Sequence, residues 1–191
     1  MQKKFLIAGI GNPGAQYANT RHNAGFMAAD IIAEHFGVEF TSWPRAKTLY
    51  CKNETPDKTV YILKPQTYMN LSGQAVFAFA NFYKIPTENI LIIFDDMSLP
   101  LGSLRMRGAG SSGGHNGMQN IIEQFGTQNM VRLRIGIGPK PDFFEGKDFV
   151  LSKFSRGDQT LLKPAFERAL QAAVDFVNFG VDAAMNKANQ K

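Results

Sequence analysis

The chain is short of thiol and imidazole. Its 191 residues include one cysteine, Cys51, which cannot close an internal disulfide. A lone thiol suits a reducing compartment, and Cys51 lies in a strand-like run where it reads as packing. Histidines number three, too few and too widely spaced for a recognised metal-ligand set, so neither a metal nor a cofactor is expected. No apolar run approaches the roughly 20 residues of a membrane span. The run from Phe5 to Ile10 is too short for the core of a signal segment. These absences point to a cytoplasmic protein with no membrane partner. Acid is also in the minority, 16 Asp and Glu against 21 Lys and Arg, for a formal net charge of +5. That balance suits an anionic partner such as nucleic acid, although plain solubility asks no less. Neither a repeat nor a linker divides the chain, so residues 1–191 read as a single domain.

Strands and helices alternate along it. Phe5 to Ile10 is a continuous apolar run ending in glycines, as in a buried strand. Residues 23–36 place Ala24, Met27, Ala28, Ile31, Ile32 and Phe36 on one helical stripe. Two strands follow, 47–53 and 59–64, joined through Thr55-Pro56-Asp57. Ser72 is placed to cap a helix running to Tyr83. Ile90 to Phe94 is the most strand-like segment and ends on Asp95-Asp96. Leu104 to Arg107 alternates, and a glycine-rich stretch, 108–114, comes next. Met118, Ile121, Ile122 and Phe125 then mark a helix. Val131 to Gly138 alternates as a half-exposed strand does. A loop over 139–148 precedes a helix over 158–179, and the tail from Asn186 reads as frayed. The pattern predicts an α/β sheet with helices on both faces.

Gly9-Ile10-Gly11-Asn12-Pro13-Gly14 follows the first strand and matches a dinucleotide fingerprint, with Glu39 in range for a ribose. The fingerprint needs a helix opening on its last glycine. Here Pro13 stiffens the turn, and the residues up to Asn23 are polar. His22 ends that polar loop at the mouth of the first helix, and His115 stands at the start of a later one. His35 reads as a surface residue. Ligands of an open α/β sheet gather beyond the carboxyl ends of its strands. Asn12 and Asp95 both fall there. A carboxylate so placed could hold His22 in one tautomer and stabilise its protonated form, making it a general base toward water. Asn12, Asn70 and Asn116 offer amides that can donate to an oxyanion or hold a peptide backbone, or simply shape turns. Arg105 and Arg107 share one strand face and Arg132 and Arg134 another. Each pair is either a solvated face or a clamp on phosphate.

Together these segments resemble the bacterial-type peptidyl-tRNA hydrolase family. The resemblance rests on Gly9 to Gly14 with Tyr17, Thr20-Arg21-His22-Asn23-Ala24-Gly25, and Lys64-Pro65-Gln66-Thr67-Tyr68-Met69-Asn70-Leu71-Ser72-Gly73. Asp95-Asp96 with Leu99-Pro100, Gly113-Gly114-His115-Asn116-Gly117 and Arg132 to Gly138 complete it, in order, from about residue 5 to 185. It implies a single α/β domain with a mixed twisted β-sheet, and a monomeric enzyme that hydrolyses peptidyl-tRNA without a cofactor. It assigns His22 as base, Asp95 as its partner, and Asn12 with them in the catalytic group. Tyr17, Tyr68, Met69, Asn70, His115 and Asn116 are implied at the substrate. Arg107 and Arg134, with Arg105 and Arg132 beside them, are implied at tRNA phosphate. The chain departs from the family pattern at Ser98, where an acid is usual, implying a looser gate over the crevice. It departs also at Ser111-Ser112 and at Arg107, where lysine is frequent. A non-catalytic RNA-binding module and a nucleotide-binding enzyme using the Gly9–Gly14 loop are the competing readings.

Overall fold

The computed structural model describes residues 2–190. Seven strands form one mixed sheet: β1 (Lys3–Gly9), β2 (Thr41–Trp43), β3 (Thr48–Glu54), β4 (Lys58–Pro65), β5 (Ile90–Pro100), β6 (Leu104–Arg107) and β7 (Val131–Gly138). Their spatial order is β2-β3-β4-β1-β5-β7-β6. β1 runs parallel to β4 and β5, and β5 parallel to β7, while the outer pairings are antiparallel. Alternate side chains of the inner strands face opposite layers. Phe5, Ile7, Leu91 and Ile93 join one core. It is covered by α1 (Ala24–His35), α5 (Arg156–Phe179) and α6 (Val181–Ala188). Leu6, Ala8, Ile92 and Phe94 join the other, beneath α2 (Ser72–Tyr83) and α3 (Asn116–Phe125). A further short helix, α4 (Gly146–Leu151), follows β7. No helix of the described residues is long and apolar enough to cross a membrane.

The topology sets the site. From β1 the chain turns toward β2–β4, and from β5 it turns toward β6 and β7 on the other side. Adjacent strands whose connections part this way leave a crevice beyond their carboxyl ends. A pair of glycines brings the start of α1 to that crevice. A Cβ on Gly9 would lie 2.1 Å from the Gly25 carbonyl oxygen, and one on Gly25 would lie 2.4 Å from those of Ile10 and Ile93. With no side chain at either position, the first turn of α1 rests directly on the backbone of β1 and β5. The turn just before it, which carries His22, is thereby held against the end of β5.

Several elements differ from the sequence reading. β5 does not stop at Phe94: it runs to Pro100, so Asp95 sits inside the strand, in register with Ile135 of β7. β7 is not half-exposed. Of its eight residues only Arg134 is not fully buried, because β6 pairs along its outer edge and loop backbone covers Arg132. Part of the expected loop over 139–148 is α4, and the tail expected to fray from Asn186 begins inside α6 and stays helical to Ala188. Just beyond α6, Asn189 accepts the Met106 N–H and donates to the Met106 carbonyl, covering the open edge of β6. Ser72 is not a cap: Leu71 holds that position, and the buried Ser72 hydroxyl has no partner. α5 begins at Arg156 on a capping box made by Ser155 and Asp158, which leaves Pro164 within the helix.

Candidate active site

The crevice is an open cavity of about 610 Å³. Asn12, His22, Tyr68, Met69, Asn70, Asp95, His115 and Asn116 all line it. At its centre Asp95 is almost fully buried, and a single carboxylate oxygen takes two hydrogen bonds. His22 Nδ1 donates to Asp95 Oδ1 at 2.9 Å, and His115 Nε2 donates to the same oxygen at 3.0 Å. The protons can be placed by elimination. His115 Nδ1 accepts the Met118 N–H at 3.2 Å, so its proton lies on Nε2. A carboxylate only accepts, so His22 carries its proton on Nδ1. His22 Nε2 is left with a lone pair and no protein partner among the described residues. Burial opposes the charge on Asp95, but the two imidazoles outweigh it and hold the carboxyl well below the usual carboxylate range.

His115 lines the cavity, where the family resemblance implies it, but its ring nitrogens face the protein. Both of its ring nitrogens are spent inside the protein, on Asp95 and on the first turn of α3. It gives Asp95 a second hydrogen bond. His22, Asp95 and His115 place their donor atoms within 4.8 Å of one another, a spacing that could hold a metal ion. As they stand, His22 Nδ1 and His115 Nε2 each donate to Asp95 Oδ1, so a metal there would have to displace both hydrogen bonds and their protons.

Asn12 is fixed with equal care. Its Oδ1 accepts the Met69 N–H at 2.9 Å, which makes Nδ2 the donor left for the cavity. Its backbone exchanges hydrogen bonds with the side chain of Asn23, at 2.8 and 2.9 Å. The Gly9–Gly14 loop is thus closed against the turn before α1. No helix opens on Gly14, only a single 3₁₀ turn over Ala15–Tyr17, so the loop does not have the form of a dinucleotide cradle.

Sequence reading missed three groups. Asn23 is one. Arg21 is another: it donates to the Ser152 hydroxyl, the Ile137 carbonyl and Asp158, and lies over the rings of Phe149 and Phe154. It ties the His22 turn to α4 and to the cap of α5. The third is the far wall, Asp96 and Met97 from β5 with Gly146, Lys147, Val150 and Leu151 from α4. A six-residue helix after a Pro/Gly-rich loop leaves no legible period. Cys51 keeps its packing role, since burial pushes its thiol up to about 12.

Tyr17 and the four arginines fall outside the lining. Arg105 and Arg107 are exposed on β6. Arg134 is partly buried and donates to Asp96 at 2.9 Å. Arg132 corrects the phosphate assignment. It is 2% exposed, and its guanidinium is consumed by the carbonyls of Met130, Gly110, Ser111 and Gln128. Strand alternation put it on the arginine face, and the loop over that face then buried it. Arg132→Met is expected to destabilise the fold by about 3 kcal/mol, because several buried carbonyls lose their donors. A lowered unfolding midpoint in urea checks this, and an unchanged midpoint contradicts it.

A histidine held by a buried carboxylate at the mouth of an α/β crevice, with amides around it, is the equipment of a hydrolytic enzyme. Known proteins are similar over nearly the whole chain. The family model for peptidyl-tRNA hydrolase matches residues 6–191. A peptidyl-tRNA hydrolase of Elusimicrobium minutum is 51% identical over 97% of this chain and 98% of its own. That of Caldanaerobacter subterraneus is 43% identical over 97% and 99%. The crystal structure of peptidyl-tRNA hydrolase from Acinetobacter baumannii superposes with a TM-score of 0.91 at 38% identity, covering 99% of this chain and 96% of that one. The chain belongs to the peptidyl-tRNA hydrolase family, and its reaction is the hydrolysis of peptidyl-tRNA.

Proposed function

We propose that His22 is the general base that takes a proton from water as it attacks the ester between peptide and terminal ribose. One observation carries the reading: the tautomer fixed by Asp95 leaves His22 Nε2 as an unpartnered acceptor at the cavity. As the proton moves, Asp95 stabilises the imidazolium, and His115 keeps Asp95 in place. The free donor of Asn12 and the exposed amides of Asn70 and Asn116 serve the carbonyl and the peptide backbone. Tyr68 and Met69 flank the ester, and Tyr17 lies beyond the cavity on the approach of the RNA. Hydrolysis is direct, with no acyl-enzyme. Acid-quenched protein taken during turnover is expected to show its unmodified mass, and a peptidyl adduct would contradict the scheme.

The RNA lies along the arginine edge. Arg105 and Arg107 face solvent, and Arg134 sits between them and the cavity wall. Arg107→Ala is expected to raise KM for peptidyl-tRNA with little change in kcat, the sign of lost uniform binding. It should also reduce the salt dependence by roughly 0.7–0.9 in the log–log slope. An unchanged slope would place Arg107 away from phosphate. The enzyme works as a cytoplasmic monomer, without metal or cofactor.

A further inference from the structure

We infer that Lys147, an exposed lysine on the cleft wall, forms an anion subsite and holds a phosphate of the substrate's 3′-terminal nucleotides. The inference rests on peptidyl-tRNA as substrate. Besides Tyr68, five titratable side chains line the cavity: His22, Asp95, Asp96, His115 and Lys147. Four are committed to partners within the protein. Asp95 accepts from both imidazoles. Asp96 accepts from Arg134 through one oxygen, and from the backbone and hydroxyl of Ser98 through the other. Lys147 has no hydrogen-bond or ion-pair partner among the described residues. The nearest acids in sequence, Glu145 and Asp148, are exposed and make no ion pair with it. The cleft thus presents one unneutralised positive charge, on the wall that α4 supplies.

Its neighbours indicate which end of the substrate it meets. A Cβ on Gly146 would touch the Met97 side chain at 3.6 Å, so α4 abuts the end of β5 here. Met97 follows Asp96, Asp96 pairs with Arg134, and Arg134 stands opposite Arg105 across β6 and β7. Lys147 therefore continues the arginine edge into the cavity. The amides of Asn12 and Asn70, suited to a neutral peptide backbone, come instead from the loops after β1 and β4. A phosphodiester next to the terminal ribose carries the charge that this lysine lacks. An acidic side chain of the peptide is the other source of an anion.

Direct binding separates the two sources and does not depend on the ester being cut. Affinities of adenosine 5′-monophosphate, adenosine, N-acetylaspartate amide and N-acetylasparagine amide are measured by NMR titration of the native protein, Lys147→Met and Lys147→Arg. The native protein is expected to prefer the nucleotide over adenosine by about 2- to 5-fold, the worth of one exposed ion pair. Lys147→Met should erase that preference and Lys147→Arg should retain it. No preference in the native protein, or one that survives in Lys147→Met, overturns the subsite. A Lys147-dependent preference for the aspartate amide, with none for the nucleotide, overturns the phosphate assignment. Failure of the native protein to cleave peptidyl-tRNA would instead count against the catalytic reading, and is measured separately.

Discussion

His22→Ala is expected to cut kcat for peptidyl-tRNA by about 10²–10⁴-fold, the usual contribution of a positioned general base. Affinity for the tRNA should barely change, because the proposed scheme has His22 at the ester and the phosphates on the arginine edge. The fold should also survive. The His22 side chain is 12% exposed and packs in the cleft wall rather than in either apolar core. The residual rate reports the positioning and oxyanion stabilisation left to Asn12 and the other amides. Single-turnover kinetics with a parallel tRNA-binding isotherm checks both halves. A variant that keeps most of its turnover would remove His22 from the chemistry.

Asp95→Asn is expected to lower kcat by about 10²-fold or more and to move the acid limb of the pH profile to lower pH. The substitution is nearly isosteric, so the amide oxygen can occupy the place of Oδ1 and accept from both imidazoles. What disappears is the charge. Without it His22 is harder to protonate, and activity on the acid side persists further down the pH scale even as the maximum falls. Stability follows the same group with its own sign. The folded-state pKa of Asp95 is depressed, so its contribution is complete above the ordinary carboxylate range and is lost as pH falls through its own lower value. The variant should therefore be less stable than the native protein at neutral pH, with the gap closing only in strong acid. A pH profile whose acid limb stays in place would make Asp95 a structural residue of β5.

Much of the site was legible because its residues sit at punctuation marks. Asn12 follows a glycine-terminated strand, His22 precedes a clear helical stripe, and Asp95 follows the most apolar run in the chain. Such positions locate a side chain without any knowledge of distant contacts. What was not legible depends on long-range packing. Alternation identified the arginine face of β7, but not the loop at Gly110 and Ser111 that buries Arg132 against four carbonyls. Nothing in the spacing of His115 says that its second nitrogen is spent on its own helix at Met118. α4 is too short for a period, so Lys147 was invisible as a cavity residue until α4 met the end of β5 in one wall of the cleft. The residues from Asn186 read as frayed because they are polar, yet α6 runs to Ala188: Val181, Ala184, Met185 and Ala188 pack on the core, and Lys187 pairs with Asp175.

The central claim is that His22, oriented by Asp95, turns water on the ester. The most direct measurement mixes excess protein with N-acetylphenylalanyl-tRNA in ¹⁸O-labelled water, quenches the reaction, and compares native protein with His22→Ala. The account predicts rapid release of N-acetylphenylalanine carrying one ¹⁸O from the native protein, intact deacylated tRNA, and almost no release from the variant in the same interval. An intact ester in the native reaction, or equal release by the two proteins, would contradict it.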